Sequence, residues 1–185
     1  MEKITLGPQT LLYPMPAVLV GSNVGGKANY MTAAWCSIAC LKPPMVVVAI
    51  NHARYTLKGI NENKTFSVNV PAASQVLETD YCGIVSGAAS DKSKIFESFY
   101  GQLKSAPMIK DCPINLECRL FNMMDCGSHM LCVGEIVETY ASKDVAAGGE
   151  PDVRKVDPII YSGGKYYKFG EYLAEAFSAG EAYKK

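Results

Sequence analysis

Histidine and tryptophan are scarce: the 185 residues hold two of the first and one of the second. Two imidazoles among scattered carboxylates give no metal-ligating cluster. Net charge is absent too, with eighteen Lys and Arg against eighteen Asp and Glu. Such a chain lacks the electrostatic footprint of a nucleic-acid or anionic-membrane binder. No apolar run reaches the roughly 18 residues of a membrane helix. The N-terminus Met1–Thr5 is polar, and Pro14 and Pro16 interrupt the apolar run Leu11–Gly21, so no signal peptide is expected. There is no GxSxG elbow for a serine hydrolase and no GxGxxG dinucleotide fingerprint. No CxxC pair occurs, and the spacings of Cys36, Cys40, Cys112, Cys118, Cys126 and Cys132 match no zinc motif.

What is present is ordinary globular composition, 49% hydrophobic and 19% charged. The length fits one domain over residues 1–185, since domains usually hold roughly 100–200 residues. Seven cysteines without a leader read as small buried hydrophobes kept reduced in a cytoplasmic setting. The alternative is a redox-active thiol beside a cofactor, with Cys36 and Cys40 first in line. On one extended strand both would face one side, about 13 Å apart, too far for a disulfide.

Strand signals dominate. Ala17–Val24 is rich in valine, and Met45–Ile50 is a continuous apolar run after Pro43-Pro44. Thr65–Val70 alternates, with Phe66, Val68 and Val70 on one face. Leu116–Met124, His129–Tyr140 and Tyr166–Phe169 are further candidates. Helices are expected at Tyr55–Asn63, at Ser74–Tyr81 with Ser74 as N-cap, from Ser90 or Asp91 to Tyr100, and at Tyr172–Ser178. Ala141–Arg154 reads as a surface loop. Many strands with a few short helices, and no β-α-β alternation, predict a mainly β fold of barrel type.

Four stretches could carry chemistry. Gly21–Lys27 nearly matches a phosphate loop, but Ala28 stands where magnesium needs a hydroxyl, and a Gly25-Gly26 hairpin explains it better. Asn29–Ser37 mixes small residues with hydroxyls, and small residues let a flat ring approach the backbone. His52–Thr56 follows the buried strand Met45–Ile50. A strand running into a helix presents free N–H groups, and Arg54 and Thr56 add donors suited to a phosphate. Ser86–Lys92 is a small flexible loop whose Ser86 and Lys92 could close on the same group. His129, at the start of a strand, is a candidate donor beside a redox ring or a strand-capping residue.

In their order, these stretches resemble the flavin reductase-like family with the FMN-binding split barrel. The likeness runs from about Leu6 to Gly180. It is carried by Asn29–Trp35, Lys42-Pro43-Pro44, Arg54-Tyr55-Thr56, Phe66–Pro71, Tyr81–Gly87 with Asp91-Lys92, Leu116–Leu120, His129 with Val133-Gly134-Glu135, and Ala176–Gly180. The resemblance implies a homodimer with one FMN per subunit near the interface. It places Met31, Thr32, Ala33, Ala34, Trp35, Cys36 and Ser37 along the isoalloxazine and ribityl chain. It places Arg54, Thr56, Ser86, Gly87 and Lys92 on the phosphate, and His129 near the flavin or the interface. Ser93 stands where Phe is common in the family, and Ser128 replaces the Asp of a common Gly-Asp-His triplet.

The function so implied is electron transfer through bound FMN, fed by NAD(P)H or by a redox partner protein. A nicotinamide would then lie face-on over the flavin. The rivals are an NAD(P)H:flavin or ferric reductase using FMN as a diffusible substrate, and a non-catalytic flavin- or haem-binding barrel.

Overall fold

The computed structural model describes residues 1–184. The strands are β1 (Met15–Pro16), β2 (Val18–Val24), β3 (Lys27–Ala33), β4 (Cys36–Cys40), β5 (Met45–Asn51), β6 (Thr65–Val70), β7 (Ser98–Phe99), β8 (Met108–Ile109), β9 (Ile114–Asp125), β10 (His129–Ala141), β11 (Ile160–Ser162) and β12 (Lys165–Tyr167). The helices are α1 (Tyr55–Asn63), α2 (Val76–Ile84) and α3 (Val153–Val156).

Seven strands form one antiparallel sheet in the order β3-β2-β6-β9-β10-β5-β4. Val20, Met31, Val48, Phe66, Cys118 and Cys132 come from six of those strands yet join one buried cluster with Leu57 and Ile60 of α1. The sheet therefore curls into a barrel around them, as the sequence predicts. β2 and β3 meet at Gly25 and Gly26, whose φ values of 57° and 79° make the hairpin turn. The phosphate-loop alternative is thereby removed.

A second layer covers the outer face of β2 and β3. Leu19 and Tyr30 pack there with Cys82 of α2, Phe96, Ile109 and Cys112. Tyr30 meets Phe96 edge to face, with centroids 5.4 Å apart. Burial on both faces makes Val18–Val24 read as a continuous run. It also overrides the polar face expected of Thr65–Val70: Ser67 and Asn69 are buried. Asn69 donates to Leu19 O at 2.8 Å and accepts from Ile109 N at 2.9 Å.

Two expected helices are absent. Residues 90–100 form turns and the short strand β7, because Lys92 and Phe96 are drawn into the second layer instead of sharing a helical face. Residues 172–178 lack a surface to cover, and the arm from 169 to 181 is exposed throughout. Ser74 lies inside a 3₁₀ turn (Ala73–Gln75), so Gln75 is the N-cap of α2. The predicted loop 141–154 ends in α3, with Asp152 accepting from Arg154 N. A register shift between Ile38 and Cys40 pairs Cys36 with Val48 and Cys40 with Met45. Those partners lie on opposite faces of β5, so the two cysteines do not share a side.

Glu117 of β9 is fully buried. Its carboxylate accepts from Gln102 N at 3.0 Å, Leu103 N at 2.8 Å and the Tyr140 hydroxyl at 3.2 Å. Glu117→Ala leaves three donors unpaired, each worth about 1–3 kcal/mol when buried. A urea melt should show stability falling by at least about 2 kcal/mol.

Candidate functional site

The two edges of the seven-stranded sheet, β3 and β4, are consecutive in the chain and joined only by Ala34-Trp35. β3 pairs with β2 on one side, and its other edge carries no strand. Where the barrel fails to close lies a cavity of about 470 Å³, within the usual range for a cofactor site.

The cavity is polar and cationic at one end. Arg54 is the extended N-cap of α1, so the first N–H groups of that helix point outward beside it. Arg54 Nη1 donates to Gly83 O at 3.3 Å, which tethers the guanidinium across the cleft. Lys92 is 3% exposed, and its Nζ donates to Tyr30 O at 3.0 Å and Cys82 O at 2.9 Å. No carboxylate pairs with it among the described residues. Burial lowers its pKa, and the Arg54 charge lowers it further. One ammonium donor therefore remains for an anion. Gly87 belongs to the same wall; a Cβ there would overlap Asn29 Oδ1 and come within 2.9 Å of the Tyr55 ring.

The other end is flat. Met31 to Trp35 supply the open strand edge and small side chains. Trp35 stacks on His129 with centroids 4.7 Å apart and planes tilted by 33°. Ser128 Oγ lies 2.8 Å from His129 Nδ1, so a hydroxyl orients this imidazole. Asp125 engages His52 instead, at 3.2 Å. An apolar groove of about 660 Å³, bounded by Leu11, Leu12 and Leu131, adjoins this end and shares Ala34, Trp35 and Ala49 with the cavity.

Met31, Thr32, Ala33, Ala34, Trp35, Arg54, Thr56, Ser86, Gly87, Lys92 and His129 all line the one cavity. Cys36 and Ser37 line the groove next to it. Burial pushes the Cys36 thiol up to about 12, which suits packing rather than reactivity. Sequence reasoning missed Asn51, Val85 and Tyr161. Asn51 lies one residue past the apolar run, and its Oδ1 accepts from Ala53 N at 3.0 Å to turn the chain. Tyr161 arrives from β11, far along the sequence, with no local signal.

One end of the cavity thus offers cations and hydrogen-bond donors, and the other a strand edge with the small side chains of Ala33 and Ala34. Residues 10–170 match the family model of the flavin reductase like domain. The chain belongs to that family. It is similar to flavoredoxin from Methanosarcina acetivorans, at 43% identity and a TM-score of 0.96, over 98% of this chain and 99% of that one. Flavoredoxin of Desulfovibrio vulgaris is 36% identical at a TM-score of 0.89, over 97% and 100%. FMN reductase (NADH) RutF 1 of Methylorubrum extorquens is 28% identical, over 77% of this chain and 63% of that one. The residues that line the cavity all fall within the matched span.

Proposed function

We propose that this chain is an FMN-binding redox protein that passes electrons through the bound flavin. The observation that carries this is Lys92, a buried cation with no carboxylate partner among the described residues, which lines a cavity with Arg54 and Ser86 at one end and an unpaired strand edge at the other. Bound FMN supplies hydride and single-electron chemistry. The protein's part is positional. Arg54, Ser86, Lys92 and the first N–H groups of α1 hold the phosphate. The Thr32–Ala34 backbone would offer hydrogen-bonding groups to the ring. Trp35 and His129 wall its far end, where the oriented imidazole can hold a proton.

The phosphate assignment predicts large effects. Charge-assisted bonds are worth about 1.5–3 kcal/mol each, or roughly ten- to hundredfold in affinity. Arg54→Ala with Lys92→Ala should weaken FMN binding at least about a hundredfold by fluorescence titration, and unchanged affinity would refute the site. The pKa of Lys92 is lowered in the free protein, and a phosphate dianion would raise it again. FMN affinity should therefore be full below the free-protein pKa and fall as pH rises through it toward the ordinary lysine range. Lys92→Met should bind weakly and lose that alkaline fall.

For the electron donor we propose NADH or NADPH, approaching through the apolar groove at the ring end. The relative named as an NADH-dependent FMN reductase supports this source. An anaerobic visible spectrum decides: rapid bleaching of the flavin band by either nucleotide is expected. A band that persists with both but bleaches with dithionite points to a partner protein as donor.

We also propose a homodimer. Leu173 and Phe177 on the C-terminal arm are 95% and 101% exposed, and Ile38 and Leu41 at the open edge are bare as well. That much apolar surface suits a second copy. Sedimentation equilibrium at micromolar concentration should give twice the chain mass, and a single-chain mass would exclude the dimer.

A further inference from the structure

Asn29 sits on β3, behind Tyr55, Gly87 and Lys92 of the larger cavity rather than in its lining, and is only 5% exposed. Its Nδ2 donates to Thr56 Oγ1 at 2.7 Å. Its Oδ1 is buried without a hydrogen-bond partner, and such orphans are rare because they are costly. Gly87 lies against that orphan end so closely that no side chain fits between them. Asn29 also lines a small cavity of about 240 Å³ whose walls include Tyr55, Gly87 and Lys92, the residues that wall the flavin cavity too.

Thr56 is 1% exposed. Its hydroxyl can serve one end of the amide but not both, so the other end is orphaned whichever way the amide is turned. The two orientations are not equivalent toward a ligand. A phosphate dianion only accepts hydrogen bonds. It can be met by Nδ2 but not by Oδ1. Turning the amide over gives Oδ1 the Thr56 O–H and leaves Nδ2 free toward the loop of Ser86 and Gly87. Only when a phosphate oxygen then accepts from Nδ2 are both ends satisfied.

We propose that Asn29 is a phosphate-selecting residue of the flavin site: its Nδ2 donates to the phosphate, and Thr56 is a positioning residue that fixes the amide rather than a direct phosphate donor. This rests on the FMN assignment above. It assigns the discrimination between FMN and the unphosphorylated flavin to an uncharged side chain, in addition to Arg54 and Lys92. A carboxylate of the same shape at position 29 would face the dianion with an acceptor and be rejected.

The test is parallel fluorescence titration with FMN and riboflavin. In Asn29→Asp, FMN should weaken at least about a hundredfold while riboflavin stays within about threefold. If Asn29→Asp does not fold, Asn29→Ala should still weaken FMN about tenfold with riboflavin unchanged. Thr56→Val should weaken FMN severalfold in the native background and add little in Asn29→Ala, as coupled residues do. Equal losses for both flavins mean a merely structural Asn29 and overturn the proposal. A Thr56→Val effect of the same size in both backgrounds also overturns it, since Thr56 would then act independently. A native chain that binds FMN while the variants keep its FMN-to-riboflavin ratio removes only Asn29 from the site. A native chain that binds neither flavin removes the FMN assignment and this inference together.

Discussion

A β-sheet has two edges, and their unpaired N–H and C=O groups must be dealt with. Here both edges belong to neighbouring strands, β3 and β4, with only Ala34-Trp35 between them. Closing the barrel by pairing β3 with β4 would leave no site. The chain instead covers β2 and β3 from outside with α2 and the segment around Phe96 and Ile109, and leaves the outer edge of β3 without a strand partner where it runs into Ala33-Ala34. An edge left unpaired in this way keeps hydrogen-bonding groups open to a partner other than a strand. The cleft therefore follows from strand order, and the aromatic wall of Trp35 and His129 follows from the cleft.

Electrostatics supplies the second half of the site, through the same outer layer. Lys92 reaches inward to the carbonyls of Tyr30 on β3 and Cys82 on α2. It thus ties together the two elements that form the phosphate end. Carbonyl dipoles offset part of the desolvation of an ammonium, but a full counter-charge would offset far more. Asp91, the adjacent carboxylate, is turned outward to Lys27 at 3.2 Å. Leaving the inner cation without an acid keeps this end of the cavity receptive to an anion. Substituting a carboxylate near Lys92 would stabilise the empty protein and compete with the ligand.

Much of this was legible in the sequence because it is local. The apolar run Met45–Ile50, the αL-prone Gly25-Gly26 pair and the helix Tyr55–Asn63 depend on neighbours in the chain, and the structure agrees with each. That the loops carrying Arg54, Ser86 and Lys92 would meet at one place was legible from their cations and small residues, and the structure brings all three to one cavity. What escaped depends on distant contacts. Ser90–Tyr100 has a helical apolar spacing, but Phe96 answers to Tyr30 and Lys92 to two remote carbonyls. Ser67 and Asn69 look like a solvent face until the 107–115 segment covers them. The stretch Asn29–Ser37 stood out for its small residues and hydroxyls, but nothing singled out Asn29 itself, whose contacts lie with a partner 27 residues away and a glycine 58 residues away.

The cysteines serve the packing of the fold. Seven thiols could themselves carry electrons, yet no disulfide forms among them and four are fully buried. Burial pushes Cys82 and Cys132 up to about 11 and Cys36 and Cys112 up to about 12. At neutral pH such groups are almost entirely thiols, and the thiol is a poor nucleophile. Cys118 is shifted upward as well, by burial in the barrel centre. Cys36 borders the cavity through the groove but is held as a packing residue against Val48. The fold thus keeps Cys36 and Cys82, the thiols next to the cavity, in their protonated form. A protein that donated electrons from its cysteines would need the opposite arrangement: exposed, low-pKa thiols in pairs, of which the spacing in this chain provides none.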